Sequence, residues 1–127
     1  MEQKQILIVD DDVRNIFALK AVLRSRNISC LSAGTGSEAL QLLSENNSIG
    51  VVLMDIMMPD MDGYETIASI RQLPGKAHLP IIAVTAKAMV GDREKCLEAG
   101  ADNYISKPID VDELLMQLQQ YLQRKSG

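Results

Sequence analysis

The sequence predicts an α/β fold, with five parallel strands in one sheet and helices packed on both of its faces. Three observations lead there. Short apolar runs of strand length recur five times along the chain. Each is followed by a segment whose apolar residues recur at helical spacing. No linker, repeat or low-complexity tract interrupts the alternation, so residues 1–127 read as a single domain. Strand–helix alternation of this kind favours a parallel sheet joined by right-handed crossovers.

The elements follow in order. "QILIVD" (5–10) holds four consecutive apolar side chains, as suits a strand covered on both faces. In "VRNIFALKAVLRSRN" (13–27), Ile16, Phe17, Leu19, Val22 and Leu23 fall on one side and Arg14, Lys20 and Arg24 on the other, the pattern of an amphipathic helix. "ISCLSA" (28–33) is the second strand and "GSEALQLLSEN" (36–46) the second helix, with Ser37 a candidate N-cap. "VVLMD" (51–55) is the third strand. "GYETIASIRQL" (63–73) is the third helix, stopped by Pro74-Gly75. "PIIAVTA" (80–86) is the fourth strand, and "DREKCLEAG" (92–100) the fourth helix, closed by Gly100. "DNYIS" (102–106) is a short fifth strand. "DVDELLMQLQQYLQRK" (110–125) is the fifth helix, with Asp110 at its start and basic residues at its end, as the helix dipole favours.

Composition excludes several function classes. Thirteen Lys and Arg against 17 Asp and Glu give a net charge of -4, so no broad basic face is expected to meet nucleic acid. The four aromatics, Phe17, Tyr64, Tyr104 and Tyr121, are too dispersed for a base-stacking platform. No apolar run has the length of a membrane span and the N-terminus lacks a signal-peptide stretch, so a cytoplasmic domain without membrane contact is expected. Cys30 and Cys96 stand far apart without a CxxC pattern, which favours two reduced thiols. His78 sits in "PGKAHLP" and reads as a loop residue.

Chemistry in such sheets gathers at the C-terminal ends of the strands. There the first strand runs into Asp10, Asp11 and Asp12, the third ends on Asp55, the fourth on Thr85-Ala86, and the fifth on Ser106-Lys107-Pro108. Clustered carboxylates repel one another, and a divalent cation removes the conflict. An all-oxygen site suits Mg²⁺, whereas zinc lacks nearby Cys or His ligands. A metal, a lysine and a hydroxyl together serve phosphoryl transfer, in which negative charge on the transferred oxygens must be stabilised. The nucleophile can be a carboxylate that forms an acyl phosphate. Asp55, alone on a central strand beside the Asp10/Asp11 pair, is the best candidate.

These residues resemble the receiver domain of two-component response regulators. "ILIVDDD" is similar to the family's acidic-pair strand, "VVLMDIMMPDMDGYE" to its phosphoacceptor strand and loop, "PIIAVTA" to its switch strand and "YISKP" to its lysine–proline turn. The likeness spans about residues 4 to 124. "DDDVRNIFAL" and "DIMMPDMDGYE" resemble receivers attached to hybrid sensor histidine kinases in particular, so the chain is expected to be such a receiver or a single-domain regulator.

The resemblance implies a flavodoxin-like three-layer sandwich with strand order 2-1-3-4-5, and a role for each residue. Asp55 would accept the phosphoryl group from a phosphohistidine of a histidine kinase or histidine phosphotransfer protein. Asp10, Asp11, Asp55 and the Met57 backbone carbonyl would hold Mg²⁺, while Asp12 begins the first helix. Lys107 and the Thr85 hydroxyl would bind phosphate oxygens, the small Ala86 would leave room beside its N–H, and Tyr104 would follow Thr85 as the switch aromatic. The Lys107–Pro108 bond would be cis. A downstream protein would read the face built from the fourth helix, fifth strand and fifth helix. Such a domain is a phosphoacceptor with slow self-dephosphorylation, and no enzyme of its own. Met57 and Lys87 depart from the best-studied receivers at positions that flank the route of hydrolytic water.

Two rivals share parts of this chemistry. A phosphatase of the haloacid dehalogenase type also forms an aspartyl phosphate, but its first-strand pattern DxDx[TV] would need Thr or Val where Arg14 stands. A flavin-binding module would need a hydroxyl-rich phosphate loop where three carboxylates stand.

Overall fold

The structure is a computed structural model; it describes residues 4–56, 63–85 and 90–122, with only the backbone of Val90 and Asp92. Strands and helices alternate through β1 (Gln5–Val9), α1 (Val13–Ser25), β2 (Cys30–Ala33), α2 (Gly36–Glu45), β3 (Ile49–Asp55), α3 (Gly63–Gln72), β4 (Ile81–Thr85), α4 (Val90–Ala99), β5 (Asn103–Ser106) and α5 (Val111–Leu122). All neighbouring strands pair parallel, in the order β2-β1-β3-β4-β5. The five expected elements of each kind and the implied strand order are all present.

Side-chain alternation splits the core in two. Leu7, Val9, Val52, Met54, Ile81 and Ala83 point to the face covered by α2, α3 and α4, where they meet Ala39, Leu43, Ile67, Ile70 and Cys96. Ile6, Ile8, Val51, Leu53, Ile82 and Ile105 point to the other face and meet Leu19 and Leu23 of α1 with Leu114, Leu115 and Leu118 of α5. β3 is central and buried on both faces, which fixes the residue at its end.

Helix ends explain where the elements stop. Asp12 caps α1, its Oδ1 accepting from the Arg14 N–H at 2.9 Å, and this hydrogen bond holds its carboxyl below the ordinary 3.8. Asn27 (φ 60) closes α1 in the left-handed region, with Ile28 N–H donating to Leu23 O. That closure consumes residues 27–29, so the second strand starts at Cys30 instead of at Ile28. Thr35, and not Ser37, caps α2. Its Oγ1 accepts from Glu38 N–H at 3.1 Å, whereas Ser37 already stands inside the first turn. Asp110 Oδ1 accepts from Asp112 and Glu113 N–H at the start of α5; the basic residues expected at the helix end lie outside the described residues.

Two further departures concern packing. β3 begins at Ile49, before Gly50, because the register steps there: Gln5 faces Ile49 and Ile6 faces Val51. Gly50 absorbs the step, and a Cβ on it would stand 2.7 Å from Lys4 Cβ. Phe17, expected on the buried side of α1, is 76% exposed, as is Val13. Leu19 and Leu23 alone bury fully from that helix, so its inward stripe is narrower than the apolar pattern implied.

At the end of the sheet where strands begin, Arg71 joins three segments. Its guanidinium donates to Gly100 O, to Leu79 O at 2.6 Å and to Lys76 O at 3.3 Å, and it pairs with Asp102 Oδ2 at 3.1 Å. Asp102 Oδ2 also accepts from Ile81 N–H at 2.8 Å, which ties the starts of β4 and β5 to α3.

Candidate functional site

The opposite end of the sheet gathers the polar residues singled out in the sequence. Asp10, Asp55 and Thr85 are buried there, each at or just beyond the end of a strand whose other side chains are apolar. Asp10 is held by its own loop: Oδ1 accepts from Asp12 N–H at 2.8 Å and Oδ2 from Asn15 Nδ2 at 3.4 Å. Asp11 next to it is exposed. One carboxylate oxygen from each of Asp10, Asp11 and Asp55 lies within 4.8 Å of the others.

Lys107 follows β5 and reaches this group. Its Nζ stands 3.4 Å from Asp55 Oδ1, and its backbone N–H donates to Thr85 O at 2.8 Å. The Lys107–Pro108 peptide bond is cis. Thr85 faces Ser106 in the β4–β5 register, so Thr85 and Lys107 occupy adjacent strand ends. Tyr104 stands earlier on β5, half-buried against the α2–α3–α4 face of the core, with the Arg93 guanidinium of α4 6.0 Å from its ring centroid. Met57, Ala86 and Lys87 lie outside the described residues.

Gly63 closes the end of β3 from behind. Its N–H donates to Ile56 O at 2.9 Å, and a Cβ here would stand 2.5 Å from Ile56 Cα and 2.6 Å from Asp55 O. Only glycine lets the start of α3 approach the end of β3 this closely. The sequence places Gly63 as the first residue of the third helix; the structure makes it a contact residue.

The donor set fits Mg²⁺. Among the described residues three carboxylates face a single ammonium, and like charges about 4 Å apart repel by about 4 kcal/mol at an effective dielectric near 20. A hard divalent cation relieves this and accepts an all-oxygen shell. Two features of the rim escaped the sequence. Val13 and Phe17 are exposed on the first turns of α1, next to this site. On the other flank of α1 a cavity of about 270 Å³ is lined by Asn15, Leu19, Val22, Lys107, Pro108 and Val111.

Buried strand-end carboxylates, a lysine and a threonine on a 2-1-3-4-5 parallel sheet define a phosphoryl-handling α/β domain. Residues 6–119 match the response regulator receiver domain family, and the chain belongs to it. It is 41% identical over 123 residues to the sensor histidine kinase RcsC of Escherichia coli strain K12. That match takes in 97% of the chain and 13% of RcsC, so the chain spans about an eighth of that relative's length. A response regulator structure from Chloroflexus aurantiacus superposes with a TM-score of 0.89 at 33% identity, covering 97% of this chain and all of that one. The receiver domain of the Pseudomonas aeruginosa sensor histidine kinase PA1611 superposes with a TM-score of 0.85 at 36% identity, covering 95% and 98%. Its structure has a magnesium ion coordinated in the active site cleft. The chain is thus a receiver domain of two-component signalling, and nothing supports the phosphatase alternative.

Proposed function

We propose that Asp55 accepts a phosphoryl group from a phosphohistidine on a histidine kinase or histidine phosphotransfer protein, and that the resulting acyl phosphate switches the domain. The observation that carries this reading is the Asp10–Asp11–Asp55 carboxylate cluster with Lys107 at 3.4 Å from Asp55. An Asp55 carboxylate oxygen attacks phosphorus as the P–N bond breaks. The bonding pair leaves with the imidazole nitrogen, which takes up a proton. Mg²⁺, held by Asp10, Asp11, Asp55 and the Met57 carbonyl, would supply charge neutralisation to the transferred oxygens. Lys107 gives up its pairing with the Asp55 carboxylate and binds a phosphoryl oxygen. The Thr85 hydroxyl and the Ala86 N–H donate to the remaining oxygens, and β4 shifts toward them.

The switch follows from differential contacts. A conformation in which Thr85 and Lys107 bind the new oxygens better becomes more populated. Tyr104 moves with Thr85, and the surface of α4, β5 and α5 carries the change to a downstream protein. The donor docks over the exposed Val13 and Phe17, with Arg14, Lys20 and Arg24 around them and no acidic side chain on α1. Identity to RcsC supports placing this receiver within a hybrid kinase, on the cytoplasmic side where such a donor acts. Among the described residues no helix is long and apolar enough to cross a membrane.

Incubation with a radiolabelled phosphorylated histidine kinase tests the proposal. Wild type should label only with Mg²⁺ present, chelation should abolish it, and Asp55→Asn should stay unlabelled. Equal labelling of wild type and Asp55→Asn would refute the assignment.

A further inference from the structure

A second cavity lies at the end of the sheet where the strands begin. Its volume is about 370 Å³, within the range of small-ligand sites. Ile49, Pro80 and the buried Tyr121 supply apolar surface to its lining, and Lys4, Lys76 and His78 line it as well. Among the described residues no carboxylate lines it, although acidic residues outnumber basic ones in the chain. None of the three basic side chains forms an ion pair with a described residue.

The frame of this cavity is fixed. Arg71 donates to the carbonyls of Lys76 and Leu79, which pins the loop that carries Lys76 and His78. Gly75, at φ 77, turns that loop in the left-handed region. The stem of Lys4 rests on Gly50, where no Cβ intervenes. Pro80 is held by its carbonyl, which accepts from Val52 N–H at 3.0 Å. Basic groups arranged around apolar surface on a rigid frame leave uncompensated positive potential beside a place for an apolar body. Ile49 opens β3 and Asp55 ends it, so the cavity stands about 20 Å from the acceptor at roughly 3.3 Å per residue.

We propose that this cavity binds a small amphipathic anion: a carboxylate or phosphate head met by Lys4, Lys76 and His78, on an apolar body packed against Ile49, Pro80 and Tyr121. Neither feature alone suffices. A free inorganic anion leaves the apolar lining wet, and a neutral aromatic leaves the lysines unpaired. Because the lining joins the end of α5 on one face to the loop that follows α3 on the other, an occupant bridges elements of both faces of the sheet.

Amide spectra of the nitrogen-15-labelled wild-type chain test this, recorded with chelator so that phosphate does not gather at the acidic rim. Phenyl phosphate and phenylacetate should shift the Gly50, Gly75, Lys76 and Leu122 signals and saturate. Inorganic phosphate should bind about tenfold more weakly, and benzyl alcohol at equal concentration should leave these signals in place. The Lys4→Gln/Lys76→Gln double variant should weaken phenyl phosphate about tenfold while melting within about 2 °C of wild type. Tighter binding of phenyl phosphate than phenylacetate, or the reverse, supports the site and identifies its head group. Three results each overturn it: shifts that never saturate, inorganic phosphate binding as tightly as phenyl phosphate, and a double variant that binds undiminished.

Discussion

Lys107 Nζ stands 3.4 Å from Oδ1 of Asp55, so the proposed acceptor carboxylate already faces the cation proposed to hold its phosphoryl group. The pair offsets only one of three clustered negative charges. Metal binding should therefore stabilise the fold. Mg²⁺ at about ten times its dissociation constant contributes about 1.4 kcal/mol, or about 3–6 °C of melting temperature for a domain of this size. Asp11→Ala should lose most of that shift, as differential scanning fluorimetry with and without Mg²⁺ would show.

Asp55→Asn removes one of the repelling charges while keeping the shape of the side chain. Without metal this variant should melt higher than wild type by about 1 kcal/mol equivalent, since a carboxylate cluster is costly. Added Mg²⁺ should narrow or reverse the gap. A variant less stable than wild type under both conditions would show that Asp55 stabilises the fold by itself.

Phe17 contributes little to the core, so Phe17→Ala should change stability by less than about 0.5 kcal/mol. Its effect should appear in kinetics. Transfer from a phosphorylated protein donor should slow about tenfold or more, while labelling by a small acyl phosphate should not change. Equal slowing with both donors would place Phe17 in the chemistry instead of in docking.

Gly63→Ala forces a methyl group against the Asp55 and Ile56 backbone, at 2.6 and 2.5 Å. The start of α3 must move away, at a cost of about 1–3 kcal/mol. Denaturant unfolding should show that loss, and phosphoryl acceptance should fall with it because the same backbone positions the acceptor.

Cys30 provides a pH test remote from the site. Burial pushes its thiol above the ordinary 9.0, and the nearby Lys20 and Arg24 oppose this only in part. A raised value means less thiolate at any pH below it, so alkylation at pH 8 should run slower than for a free cysteine. The rate should keep rising past pH 9, where a free thiol would already be levelling. Mass spectrometry of iodoacetamide-treated protein would follow it, with the fully buried Cys96 unmodified until unfolding.

Much of this molecule was legible from its residues. Apolar runs and helical spacing mark the ten elements because a doubly covered parallel sheet leaves little choice of pattern, and the carboxylates stand out because apolar strands precede them. What escaped depends on long-range contact. Periodicity put Phe17 inside because it registers that a residue is apolar and cannot tell whether a neighbour covers it. From the sequence the third strand starts at Val51 and stops short of Gly50, since the Lys4 stem that occupies the space at Gly50 comes from another part of the chain. Arg71 gave no signal at all, because most of its partners are backbone carbonyls, which every sequence contains, and its one carboxylate partner, Asp102, lies 31 residues away. Ser37 looked a fitting cap by composition, but capping depends on which residue stands just outside the first turn, and that is Thr35.

The Arg71 staple also sets the mechanics of α4. The guanidinium grips Gly100 at the foot of the helix, while the other end begins five residues after Thr85. A rod anchored at one end turns rotation into travel. Over ten residues, about 15 Å long at 1.5 Å per residue, a tilt of about 10° would carry the Val90 end through about 2.6 Å. A pull at the strand-end site would thus move the Val90 end of α4 most and the Gly100 end least, with Gly100 as the fulcrum.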